Sequence, residues 1–117
     1  MQTRTLGRTG PAVATLGLGA MGMSGAYGAT DRTEAIATVH AALDAGVTLI
    51  DTADFYGMGH NELLLGEALR GRDRDSYQLS VKFGMQRGPG ASFGYGSGRS
   101  GPAHASRFPC RSSTATG

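Results

Sequence analysis

Short apolar segments alternate with helix-like segments through the first 84 residues, and this alternation constrains the fold more than any other feature of the chain. Thr15-Leu16-Gly17-Leu18-Gly19 reads as a short strand. Asp31-Arg32-Thr33-Glu34 then resembles a helix start, with an Asp cap and a Glu at the third helical position. Ile36, Val39 and Leu43 fall on one face of that helix, and Gly46 marks its stop. Val47 to Ala53 is β-branched, apolar and short, as a buried parallel strand should be. Asp54 to His60 reads as a loop leading to a second helix, Asn61 to Arg70, in which Asn61 can cap and Gly71 ends the run. Tyr77 to Phe83 is a third strand. Ahead of all this, Arg4-Thr5-Leu6 and Ala12-Val13-Ala14 flank a Gly/Pro turn and suggest a hairpin. The order hairpin, β, α, β, α, β implies an α/β fold with a parallel sheet and right-handed crossovers.

The pattern stops at Gly84. Residues 85–117 contain no Val, Leu, Ile, Asp, Glu or Lys, and most are Gly, Ser, Ala, Pro or Arg. Such a segment cannot supply a periodic apolar face, so it is expected to be a disordered, low-complexity tail. Two domains follow from this: 1–84 and 85–117. Loss of the true coding frame near Gly84 is one reading of the switch, and a flexible tail is the other. The tail also holds the charge asymmetry. Residues 1–84 carry seven basic and nine acidic groups, whereas the tail carries Arg87, Arg99, Arg107 and Arg111 and no acid. Four scattered arginines do not make a nucleic-acid stripe. Cys110, the single cysteine, forms no internal disulfide and anchors no metal cluster. The N-terminus lacks the apolar core of a signal peptide, and no apolar run nears the ~20 residues of a membrane span. The expectation is a soluble cytoplasmic protein with no nucleic-acid or membrane partner; the oligomeric state is left open.

The segment richest in chemistry is Asp51-Thr52-Ala53-Asp54-Phe55-Tyr56-Gly57, together with Lys82 in Val81-Lys82-Phe83-Gly84. Asp51 and Lys82 sit near the C-terminal ends of neighbouring strands, and Tyr56 lies in the loop after the first of them. Adjacent strands are ~4.8 Å apart, so the three side chains can meet at one sheet edge. In α/β folds catalytic groups gather at that edge. A phenol is a poor acid at neutral pH, a nearby ammonium favours its ionised form, and a carboxylate keeps that ammonium charged and oriented. Together they can deliver a proton to a developing alkoxide.

These residues resemble the signature of the aldo-keto reductases. The resemblance extends to Gly46-Val47, to Asn61-Glu62-Leu63-Leu64-Leu65-Gly66-Glu67-Ala68-Leu69, to the hairpin, to Leu16-Gly17-Leu18-Gly19 and to Val81-Lys82-Phe83-Gly84, and covers about residues 3–84. It implies the N-terminal part of a (β/α)8 TIM barrel: the hairpin that closes the bottom, about three strands and two helices. It also implies an oxidoreductase that uses NADPH, more rarely NADH, to reduce an aldehyde or ketone to an alcohol. Tyr56 would be the general acid, Lys82 would make it a better one, and Asp51 would pair with Lys82. Met21, Gly22 and Asp51 would approach the nicotinamide end of the cofactor. The family's fourth catalytic residue is a histidine ending the fourth strand. No such strand follows here, and His104 in Gly101-Pro102-Ala103-His104-Ala105 is not given the role. The chain is therefore expected to be a truncated reductase; the other reading is a catalytically inactive fragment or interaction module of the same fold.

Plainer roles stand beside these. Singly, Asp51, Tyr56 and Lys82 read as a turn cap, a packing ring and a solvated lysine; their order and context favour the joint reading. Gly17-Leu18-Gly19-Ala20-Met21-Gly22 matches the dinucleotide fingerprint G-x-G-x-x-G, but that motif needs a helix to open at once. Here the helix is expected only at Asp31. His60 is read as a cap, a substrate contact or a solvated residue, His40 as a helix-surface residue, Asp54 as a loop residue, and Met21 and Met23 as residues that either line the site or pack, packing being the plainer role.

Overall fold

The computed structural model describes residues 1–87 and 93–95. The chain divides after Lys82. In the first unit, strands β1 (Thr3–Thr5) and β2 (Ala12–Ala14) form the expected antiparallel hairpin. A parallel three-stranded sheet follows, in spatial order β3 (Gly17–Gly19), β4 (Leu49–Ala53), β5 (Gln78–Lys82). Helix α1 (Arg32–Asp44) joins β3 to β4, and helix α2 (His60–Ala68) joins β4 to β5. This is mixed α/β architecture with β/α units in the expected order, as in part of a TIM barrel.

The helix ends follow local chemistry. Asp31 caps α1 by accepting the Glu34 N–H at 2.8 Å. Gly46 takes φ +90°, the left-handed backbone that lets the chain leave α1 without Cβ strain. Helix α2 differs from expectation. It opens one residue early, at His60, and its N-cap is Gly59 in the left-handed region. Asn61 does not cap; its side chain is wholly buried and turned to other partners. The helix ends before Arg70, at Ala68, where the left-handed Gly71 and the Asp73–Ser76 turn take over.

Both helices pack on one sheet face. Ala20, Val39, Ile50, Leu65, Ala68, Leu69 and Tyr77 form the buried cluster, with Leu18, Met23, Ile36, Leu43 and Leu79 against it. Ile36, Val39 and Leu43 thus form the inward stripe of α1, and Met23 is a packing residue as expected. His40 is half-buried rather than on the helix surface: its Nε2 lies 2.7 Å from the Ala68 carbonyl oxygen, tying α1 to the C-terminal turn of α2. The hairpin is tied to the sheet through the Ala14 N–H, which donates to Thr48 Oγ1 at 2.8 Å. No helix among the described residues is long and apolar enough to cross a membrane.

The segment after Gly84 corrects one expectation. Met85–Arg87 and Phe93–Tyr95 form a two-stranded antiparallel ladder, β6 and β7, in which Gln86 stands opposite Gly94. The tail was expected without structure because it lacks aliphatic residues; a short ladder needs only paired backbone groups and tolerates Gly between aromatic residues. His104 and Cys110 lie outside the described residues.

Candidate active site

Successive side chains of a strand point to opposite faces. In β4, Ile50 and Thr52 are buried, and Ile50 belongs to the helix-side core, so Asp51 faces the other side. In β5, Leu79 packs on the same core, leaving Ser80 and Lys82 on the face of Asp51. The register then sets the meeting. Asp51 stands opposite Ser80 and Ala53 opposite Lys82, so the long lysine chain reaches back one step to the carboxylate.

The contacts bear this out. Lys82 Nζ donates to Asp51 Oδ2 in a close ion pair, and Ser80 Oγ donates to Asp51 Oδ1 at 3.1 Å. The same ammonium lies 5.1 Å from the centre of the Tyr56 ring, over its face. Asp51 raises the pKa of Lys82 most, Tyr56 raises it next, and desolvation works against them. Lysine and aspartate side chains remain 46% and 39% exposed, so the pair is reachable from solvent. Tyr56 is buried to 8% exposure and packs edge-to-face on Phe55 with centroids 4.9 Å apart. It begins the tight turn Tyr56–Gly59, which Asp54 and Phe55 join to the end of β4. The structure therefore brings together Asp51, Tyr56 and Lys82.

Met21 and Gly22 lie beyond the end of β3, in the short 3₁₀ turn Met21–Ser24. The Ala20 N–H donates to the Asp51 carbonyl at 2.9 Å, which places this turn beside the same strand end. Met21 is partly exposed, and Tyr27 OH donates to its sulfur at 3.8 Å. Gly25, left-handed, ends the turn, and α1 opens only at Arg32. No helix opens directly after the Gly17–Gly22 loop, as the dinucleotide fingerprint requires, so the match is accidental. His60 Nδ1 lies 3.0 Å from Ser24 Oγ. Among the described residues no group of three or more His, Cys, Asp or Glu could hold a metal ion.

Two features escape sequence reading. Ser80 holds the second oxygen of Asp51, which only the strand register reveals. A buried network joins Thr52, Asn61, Ala20 and Ser24, whose members are far apart in sequence. The sole signal for it was an asparagine at a helix start, and that is more simply read as a cap.

Known proteins resemble this chain in sequence and fold. The model of the aldo/keto reductase family matches residues 15–105, running past Gly84, where the motif resemblance stops. A probable aldo-keto reductase 1 from Glycine max is 41% identical over 86 residues, covering 73% of this chain and 25% of the relative. The holo form of aldo-keto reductase AKR11C1 from Bacillus halodurans superposes with TM-score 0.75 at 31% identity, over 92% of this chain and 34% of that one. An aldo-keto reductase from Klebsiella pneumoniae, solved in complex with NADPH, gives TM-score 0.56 at 36% identity over 69% and 28%. The chain thus spans about a quarter to a third of the length of these relatives.

Proposed function

Since this chain belongs to the aldo/keto reductase family, we propose that it serves the NADPH-dependent reduction of an aldehyde or ketone to an alcohol, with NADH as the rarer donor. The observation that supports this best is the Lys82 ammonium held between the Asp51 carboxylate and the Tyr56 ring. As a carbonyl oxygen gains negative charge, the Tyr56 hydroxyl gives it a proton. The cation 5.1 Å from the ring centre offsets the charge left on the phenol oxygen. Asp51 keeps that cation in place, and Ser80 keeps Asp51 in place.

The nicotinamide cofactor, when bound, supplies the hydride. Open space beside Asp51 supports this reading: Gly19 is the register partner of Asp51 on β3, and a Cβ there would meet no atom within 4 Å. Met21, Gly22 and Asp51 are the residues that would hold it. In the cell the protein is read as cytoplasmic, acting on a small carbonyl compound.

The other reading is a catalytically inactive fragment or interaction module of the same fold, in which the proton-delivering cluster is retained without turnover. The test is consumption of NADPH, followed by its near-ultraviolet absorbance, with a panel of small aldehydes and ketones. Carbonyl-dependent consumption that falls ~10²–10⁴-fold in Tyr56→Phe supports the first reading. A folded protein that consumes no NADPH with any of them rejects it in favour of the second.

A further inference from the structure

Asn61 is the most completely buried polar side chain in the described structure, at 0% exposure. Its carboxamide is fully engaged. Oδ1 accepts from Thr52 Oγ1 at 2.6 Å. Nδ2 donates to the Ala20 carbonyl and to Ser24 Oγ, each at 2.7 Å. Ala20 and Ser24 are the residue before and the last residue of the Met21–Ser24 turn. One amide group therefore holds both ends of that turn. Asn61 itself sits in the first turn of α2, immediately after the Tyr56–Gly59 turn. Its third partner, Thr52, is the residue after Asp51.

The two turns also touch directly. Gly57 has φ +59°, and a Cβ there would come within 2.9 Å of His60 Cβ and 3.1 Å of Ser24 Cβ. The turns approach as closely as a glycine allows. Ser24 Oγ, already accepting from Asn61, is also within 3.0 Å of His60 Nδ1. A buried amide whose two donors and acceptor oxygen are all engaged is costly to rearrange, because any movement strands a donor or acceptor away from water.

We propose that Asn61 is a positioning residue: its buried carboxamide clamps the Met21–Ser24 turn against the turn that carries Tyr56, fixing the two sides of the site relative to one another. The clamp follows from the geometry alone, and its consequence for the cofactor rests on the function proposed above. Asp51, through Ala20 and Thr52, lies between the two sides. Asparagine suits the place because it offers one acceptor and two donors on a planar group. Aspartate has the same shape, yet as a carboxylate it would face the Ala20 carbonyl and Ser24 Oγ with no hydrogen to give the carbonyl.

The test is amide hydrogen exchange on the whole 117-residue chain for wild type, Asn61→Asp and Ser24→Ala. The Met23 N–H donates to the Ala20 carbonyl inside the turn and reports on it. The Leu69 and Ala45 N–H groups close the ends of α2 and α1 and report on the rest of the fold. Loss of one clamp bond is expected to speed Met23 exchange by about tenfold, while Leu69 and Ala45 stay within about threefold of wild type. A residue that merely stabilises the fold would speed all three together, and that result, or an unchanged Met23, overturns the proposal. Ser24→Ala removes only the second arm and decides the matter should Asn61→Asp fail to fold. A parallel titration with NADPH, read by its fluorescence, separates the two ideas. Weaker binding by about tenfold in Ser24→Ala supports the cofactor consequence. No binding by the wild type sinks the cofactor reading while the exchange data still judge the clamp.

Discussion

The turn that delivers Tyr56 holds two adjacent residues in left-handed backbone, and they predict opposite responses to mutation. Gly57 has φ +59° and ψ +25°, and Met58 has φ +54° and ψ +50°. Placing a Cβ on Gly57 costs about 1–2 kcal/mol for the backbone alone. The new atom would also lie 2.9 Å from His60 Cβ and 3.1 Å from Ser24 Cβ. Neither is the far end of a flexible chain, so the backbone of one turn must shift, adding about 1–3 kcal/mol of overpacking. Gly57→Ala should therefore destabilise the protein by about 2–5 kcal/mol, a large share of a typical ~5–15 kcal/mol total. Met58 bears the same backbone strain on a side chain that is 56% exposed. Met58→Gly relieves about 1 kcal/mol of it and gives back some to the greater freedom of glycine in the unfolded chain. That variant should be as stable as wild type or up to about 1 kcal/mol more so. Urea unfolding followed by circular dichroism measures both. A Gly57→Ala midpoint corresponding to less than about 0.5 kcal/mol of loss would refute the close approach of the two turns. So would equal destabilisation by the two variants.

Three further outcomes follow from named contacts. Ile50 is fully buried at the centre of the helix-side core, so Ile50→Ala should cost about 2–5 kcal/mol in the same assay. Lys82→Met should cost at most about 1 kcal/mol, because the ion pair is substantially exposed; a larger loss would show that the cluster serves the fold more than the chemistry. The Arg72 guanidinium, first by hydrogen bond and then by charge, lowers the Asp44 pKa below its ordinary 3.8. This carboxylate's contribution to stability is thus present above pH 3.8 and lost as pH falls through its lowered folded value. Arg72→Ala should flatten that part of the pH–stability curve.

Most of the architecture was legible because it rests on local signals. Asp31 caps α1 through the Glu34 N–H three residues away, Gly46 turns the chain at φ +90°, and the Ile36, Val39 and Leu43 stripe needs only helical spacing. The meeting of Asp51, Tyr56 and Lys82 was also readable, since it needs only parallel strands with matched C-terminal ends. What stayed hidden depends on distant partners. Asn61 looks like a cap, yet its partners are Ala20, Ser24 and Thr52, and no local pattern reveals them. His40 looks like a surface residue until α2 brings the Ala68 carbonyl to it. Ser80 acquires its place only through the register of β5 on β4. Composition does not reveal the β6–β7 ladder, because it describes the lack of a core, whereas pairing of three residues needs none.

Whether Asp51, Lys82 and Tyr56 act as one unit is decided by titrating the Lys82 ammonium by nuclear magnetic resonance. Asp51, and then Tyr56, hold the folded pKa of this lysine above its ordinary 10.5. The stability that the unit contributes is therefore complete below pH 10.5 and lost as pH rises through the raised value. Asp51→Asn should remove most of the elevation, and Tyr56→Phe a smaller part. A Lys82 that titrates as an ordinary lysine in the wild type and in both variants would contradict the joint action of the three residues.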